Sequence, residues 1–276
     1  MKLKEYQENR GDIGIFDRRN KVNNLTGKEW IFSTRSVITR PFQEVFDKTA
    51  LAKIGYENPL PVLCWKECIR TFSKPREHIT DPLCNYGATA MASFQANEDR
   101  TYRGFVFKEL VFEGVQAHLE DLRKSDNVQL FESILSADSP PFSNFYTDLV
   151  ITELIFDLRS GIPLLVQYQR WLSQLIDSFS HLIPKLTKNR YVLVSLENFR
   201  TESGHLSKYF SATYDVSKQL SRFGLKLKGE LIWLNPHKKS QAFARDNDIP
   251  NLIRTTDWFT NVTNEKRILV FRFEGK

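Results

Sequence analysis

Apolar residues along this chain come in two rhythms, short continuous runs and longer stripes at helical spacing, and the two alternate. The short runs are His78 to Pro82, Arg103 to Phe107, Asn127 to Phe131, Asp148 to Thr152, Tyr191 to Val194, Leu227 to Trp233 and Arg267 to Arg272. Each reads as a buried strand. Between them, Val62, Leu63, Trp65, Cys68, Ile69 and Phe72 fall on a helical face after the turn Asn58-Pro59-Leu60-Pro61, and Lys74-Pro75 stops that helix. Further helices are predicted over Ala88 to Ala96, Val111 to Leu122, Tyr168 to Leu186 and Leu206 to Phe223, the last closing at Gly224 as its C-cap.

Strands and helices alternating at this spacing predict an α/β fold with a doubly wound, mostly parallel sheet. The last two strands need no long crossover between them and are expected to form an antiparallel pair at the sheet edge. Residues 1–28 are polar and rich in Asn, Lys and Gly, and read as an N-terminal arm. Residues 29–276 read as a single α/β domain, with no internal repeat and no break in the core pattern.

With 276 residues, 41% of them hydrophobic and 13% aromatic, the composition is that of a globular chain. No apolar run approaches the roughly 18 residues of a membrane span, and Met1 to Asp12 holds no signal-peptide core; a cytoplasmic protein without a membrane partner is expected. Cys64, Cys68 and Cys84 read as buried thiols. The five histidines (His78, His118, His181, His205 and His237) are scattered without metal-ligand spacing, so no metal is expected. A formal charge of +6 suits a nucleic-acid partner. Arg18, Arg19 and Lys21 in the arm, and Lys238 and Lys239 after Pro236-His237, are candidate DNA phosphate contacts; a merely solvated basic face is the competing reading of each.

Several segments, in order, carry a resemblance to a known family. They are Gly27 to Val37, Leu63 to Pro75, Thr80-Asp81-Pro82-Leu83-Cys84-Asn85-Tyr86-Gly87, Asp148 to Phe156, Phe223 to Trp233 and Arg267 to Arg272. Together they resemble the DNA methyltransferases that act on exocyclic amines, adenine N6 or cytosine N4. The resemblance runs from about Gly27 to Phe273. It implies a seven-stranded Rossmann-like methyltransferase sheet, with a cofactor loop at Asp81, Asn85 and Gly87 and a catalytic turn at Glu153-Leu154-Ile155-Phe156.

Where the family has an Asp-Pro-Phe-x-Gly-x-Gly loop, this chain has Asn85 at a glycine position. Val106 stands where an acid should meet the cofactor ribose, with Glu109 three residues late, and Glu132 is an imperfect substitute for the acid that meets the adenine. Where the family has Asp-Pro-Pro-Tyr, Glu153 is a methylene too long for an accurately placed acceptor, and Phe156 alone keeps the stacking aromatic. Tyr168 and Trp171, at i and i+3, could line a base pocket, though core packing is the commoner role of such a pair. The expected function is therefore a methyltransferase-like subunit without catalysis and with no cofactor. It would support DNA binding, or assembly with an active methyltransferase or another complex subunit. The alternative is an active S-adenosylmethionine-dependent DNA amino-methyltransferase with divergent motifs.

Overall fold

Among the described residues, eight strands form the central sheet, and its inner strands are apolar on both faces. The computed structural model describes residues 4–33, 36–38, 59–96, 99–106, 125–131, 135, 145–157, 160–201, 208–234 and 265–275. The predicted helix from Val111 to Leu122, and Glu109, Glu132, Lys238 and Lys239, lie outside these residues. The sheet strands are β3 (Val37–Ile38), β4 (His78–Cys84), β5 (Thr101–Val106), β6 (Val128–Phe131), β7 (Thr147–Glu153), β8 (Leu186–Leu196), β11 (Leu225–Leu234) and β12 (Glu265–Phe273). They lie in the order β3-β11-β12-β8-β7-β4-β5-β6. All neighbours are parallel except β12, which is antiparallel to both β11 and β8. Two-residue β3 is an addition to the seven strands expected.

The antiparallel pair is present but does not form an edge. β12 is inserted between β8 and β11, because Ile268 and Val270 serve the core on one face while Leu269 and Phe271 serve the core on the other. A strand buried on both faces is stable only with neighbours on both sides.

The two cores flank the sheet. On one face lie α2 (Val62–Phe72) and α3 (Ala88–Ala96), packed on Ile79, Leu149, Ile151 and Leu193. On the other lie α4 (Leu164–Leu182) and α5 (Ala212–Ser221), packed on Val150, Val192, Val194 and Leu269. Each apolar side chain fully buried in these layers contributes about 1.5–3 kcal/mol. α4 starts after Pro163 and passes into a short 3-10 turn at Ile183–Lys185, where β8 begins, earlier than the helix end predicted at Leu186. α5 starts later than predicted, after a small ladder of β9 (Phe199–Arg200) with β10 (Tyr209–Phe210). All three cysteines are buried free thiols.

The amino-terminal residues are more ordered than an irregular arm. β1 (Gln7–Asn9) pairs antiparallel with β2 (Ile15–Asp17), and α1 (Gly27–Ser33) follows. Thr26 and Glu29 form a reciprocal capping box at its start: the Thr26 N–H donates to Glu29 Oε2 at 2.9 Å and the Glu29 N–H to Thr26 Oγ1 at 3.3 Å. Buried Asn23 donates through Nδ2 to the Thr71 carbonyl at the end of α2. Among the described residues, no helix is long and apolar enough to cross a membrane.

Candidate functional site

The order of the strands reverses between β4 and β7, and in an open α/β sheet the crevice at the carboxyl ends of such a pair is where ligands bind. Both sequence-predicted loops, after Asp81 and after Glu153, converge here. Asn85 Nδ2 donates to the Glu153 carbonyl at 2.8 Å and joins the two.

All seven residues of β7 are buried, and alternation puts Glu153 on the same face as Leu149 and Ile151, toward α2. There its carboxylate is enclosed. The Leu60 N–H donates to Oε1 at 2.8 Å and the Trp65 indole N–H to Oε2 at 3.2 Å. Lys266 Nζ, fully buried, lies 3.2 Å from Oε1 and also donates to the Leu154 carbonyl at 2.7 Å. Burial pushes the Glu153 carboxyl up, and the neighbouring ammonium, the Leu60 N–H and the Trp65 indole oppose that. Glu153 therefore joins α2, β7 and β12 into one polar knot. The sequence reading faulted Glu153 for its extra methylene; the structure shows that strand parity also turns it toward α2. Leu154 is buried and Ile155 packs against the core. Phe156 is 2% exposed, its ring edge-on to Phe199 at 5.0 Å.

At the end of β4, Pro82 cannot donate to either neighbouring strand, and the register with β5 shifts between Asp81 and Cys84. Asp81 is 2% exposed and accepts from Thr89 Oγ1 at 2.6 Å and from the Leu83 N–H at 3.1 Å. Tyr102 reaches over Gly104 to the same cluster, its hydroxyl 2.7 Å from Thr89 Oγ1 and 3.3 Å from Cys84 Sγ. Burial pushes the Asp81 carboxyl up to about 7 against these hydrogen bonds, and the Cys84 thiol up to about 12. Gly87, at φ +85°, makes the turn into α3, a conformation that suits glycine.

The open space lies on the opposite side of the loops from the Glu153 carboxylate. A cavity of about 230 Å³ receives Leu83, Asn85, Phe105, Leu154 and Ile155 from the strand ends. Helix α4 contributes Gln167, Arg170, Trp171 and Gln174, and Asp157 stands between the two sets. The Gln167 amide fixes the segment before α4: Oε1 accepts the Asp157 N–H at 2.9 Å, and Nε2 donates to the Asp157 and Ile162 carbonyls at 2.9 and 2.8 Å. The Tyr168–Trp171 pair divides. The Tyr168 hydroxyl donates to Asp215 at 2.9 Å inside the core, whereas Trp171 lines the cavity. Sequence reasoning missed Arg170, Gln174 and Asp157. The signal for Arg170 and Gln174 was the spacing i, i+3, i+4, i+7 of Gln167, Arg170, Trp171 and Gln174; Asp157 carried none.

The basic residues sit elsewhere. Lys74 Nζ donates to the Asn20 carbonyl, and Arg190 Nη1 donates to the Lys21 carbonyl at 3.0 Å. Lys74 precedes β4 and Arg190 lies in the first half of β8, so the segment with Arg18, Arg19 and Lys21 is fastened near the amino edge of the parallel strands. Arg19 is paired with Asp17 at 2.8 Å and stacked 3.5 Å from the Tyr6 ring centroid, and Arg18 lies 3.7 Å from Glu8. The structure does not bring these residues to the crevice. Among the described residues, no group of three or more His, Cys, Asp or Glu side chains is placed to hold a metal ion.

No protein-family model matches the chain, and no curated protein matches it. Solved structures do. A methyltransferase from Pyrococcus furiosus shares 12% identity over 79% of this chain and 84% of its own, with a TM-score of 0.45. A S-adenosylmethionine-dependent methyltransferase from Clostridium acetobutylicum shares 12% over 72% and 84%, with a TM-score of 0.40. The pyocyanin biosynthetic protein PhzM shares 10% over 76% of this chain, which spans 54%, about half, of PhzM, with a TM-score of 0.45. At such identities the likeness is one of fold. Within this chain the sheet itself is large, mostly parallel and doubly wound, the α/β arrangement expected from the sequence. The expectation of no cofactor is withdrawn in view of these matches, one of which is itself named as S-adenosylmethionine-dependent.

Proposed function

We propose that this chain is a methyltransferase-fold subunit that holds S-adenosylmethionine in the carboxyl-edge crevice and does not use Glu153 for methyl transfer. The carrying observation is the enclosure of the Glu153 carboxylate by the Leu60 N–H, the Trp65 indole and Lys266. An acceptor for a target amine needs a lone pair facing the substrate, and this carboxylate faces α2 instead. The cavity supports the cofactor part of the reading. Phe105, Leu83 and Leu154 offer apolar walls for a purine, and Asn85, Asp157 and Arg170 offer polar partners for the remainder. Val106 is buried and apolar, so no described residue of β5 supplies the ribose acid. When bound, S-adenosylmethionine would supply an activated methyl group; this chain's residues would bind and orient it.

DNA is the proposed partner, met through Arg18, Arg19, Lys21, Lys238 and Lys239, with an active methyltransferase or other complex subunit alongside. The placement of Arg18 to Lys21 near the amino edge suits a protein that holds a duplex without delivering a base to the crevice. Such binding should fall steeply with salt and ignore sequence. The test is transfer of labelled methyl to DNA by the chain alone and with its native partners, beside a direct titration with S-adenosylmethionine. Saturable cofactor binding without turnover by the isolated chain is expected. Turnover that vanishes in a folded Glu153→Gln variant would overturn the proposal.

A second reading, an active DNA amino-methyltransferase of the N6-adenine or N4-cytosine type, is favoured by Asp157. That carboxylate-bearing residue lines the crevice, four positions beyond Glu153. Under this reading turnover survives Glu153→Gln and is abolished by Asp157→Asn.

A further inference from the structure

The cavity wall formed by α4 holds a hydrogen-bond donor without an acceptor among the described residues. Trp171 is 8% exposed and lines the cavity, and its indole Nε1–H, itself shielded from solvent, has no partner among the described residues. A buried indole N–H ordinarily finds an acceptor, and its cost when left unmet is that of any desolvated donor. Its ring packs beside Tyr168, with centroids 6.3 Å apart, which fixes its place on the helix. One residue before it stands the Arg170 guanidinium, and one turn after it the Gln174 amide, both on the same cavity wall. Gln167, the fourth member of the stripe, is committed to the Asp157–Ile162 segment and is a positioning residue. The strand-end wall opposite is mostly apolar: Leu83, Phe105, Leu154 and Ile155.

We infer that the Arg170–Trp171–Gln174 stripe of α4 is an anion-recognising subsite, which takes the carboxylate or phosphate of a ligand whose flat apolar body lies against Phe105 and Leu154. Arginine supplies charge-assisted donors, the indole a single directed donor and the glutamine amide a third, and Asp157, which lines the same cavity, stands outside this stripe. The chemistry is shared by two sources: the amino-acid carboxylate of an adenosyl cofactor, and the phosphate of a nucleotide. The carboxylate source rests on the reading of the crevice as a cofactor site; the phosphate source does not.

Calorimetric titration of the full chain with three probes separates them. S-adenosylhomocysteine carries the carboxylate, adenosine monophosphate the phosphate, and 5′-methylthioadenosine neither. Trp171→Phe keeps the apolar bulk and deletes the N–H; Arg170→Ala changes an exposed residue and guards against a folding artefact, and thermal melts accompany both. Each variant should lose about ten- to a hundredfold in affinity for the charged probe that wild type binds, with methylthioadenosine binding unchanged. Loss confined to S-adenosylhomocysteine supports the subsite and the cofactor reading together. Loss confined to the monophosphate, with no S-adenosylhomocysteine binding, supports the subsite and removes the cofactor reading. Unchanged affinities in both variants overturn the subsite and leave the cofactor reading intact. No binding of any probe by wild type overturns both.

Discussion

Lys266→Met is the sharpest perturbation of the Glu153 knot. It deletes a fully buried ammonium and leaves a carboxylate that is 3% exposed with, among the described residues, the Leu60 and Trp65 N–H groups to stabilise it. Breaking one side of a buried ion pair typically costs about 3–5 kcal/mol. Because two donors remain, the lower end, about 3 kcal/mol, is expected here, a large part of the roughly 5–15 kcal/mol that holds a domain folded. Glu153→Gln should cost a similar about 3 kcal/mol, because Lys266 keeps the Leu154 carbonyl but loses its counter-charge. The double variant Glu153→Gln/Lys266→Met carries no buried charge at this position. Its cost should fall short of the sum of the singles by about 2 kcal/mol or more, the coupling expected of contacting residues. Urea denaturation followed by tryptophan fluorescence and circular dichroism measures all four corners of the cycle, provided the slope with denaturant stays constant. Single variants that each cost less than about 1 kcal/mol, with no coupling between them, would falsify the structural role of the pair. Glu153 would then be free for chemistry, and the proposed function would lose its main support.

Three further outcomes are expected. Asp81, held near 7 against an ordinary 3.8, makes folding strongest below its unfolded value and weaker as pH rises through 7. The loss is about 4 kcal/mol across that window, so Asp81→Asn should flatten the urea-midpoint profile between pH 4 and 8, and an unchanged profile would contradict the burial argument. Gly104→Ala would set a methyl 2.8 Å from the Tyr102 ring and 2.9 Å from Leu130 Cδ2, which should cost about 1–3 kcal/mol by equilibrium denaturation. Leu154→Asp buries an unpaired charge at a position 1% exposed, so protease resistance should collapse, whereas a stable Leu154→Asp protein would show that the turn is open rather than packed.

The legibility of this chain divides along a physical line. Short apolar runs such as Leu149-Val150-Ile151 and Tyr191 to Val194, rich in β-branched residues and too short for a helix, specify strands that serve the cores on both faces. The stripe from Val62 to Phe72 likewise specifies its helix, flanked by Pro61 and Pro75. These local patterns were enough for the doubly wound fold, since βαβ alternation leaves few topologies open. The interior place of β12 was present in principle in its unbroken run Ile268 to Phe271. The expectation of an edge pair considered only the pairing of β12 with β11, the strand before it in the chain, and not its pairing with β8.

The site was legible only as a location. Pattern and resemblance put Asp81, Asn85 and Glu153 at strand ends, and the structure brings those ends together. What the side chains do there depends on partners distant in sequence. Glu153 meets Leu60, Trp65 and Lys266, residues 93, 88 and, for Lys266 with the neighbouring Leu154 carbonyl, 112 positions away. Arg170, Trp171 and Gln174 become a cavity wall only because α4 packs across the ends of β4 and β7. A hydrophobic pattern encodes which side of an element faces the core, since that depends on local periodicity alone. It does not encode which polar atom meets which, because that is decided by short-range contacts that form only after the whole chain has closed on itself.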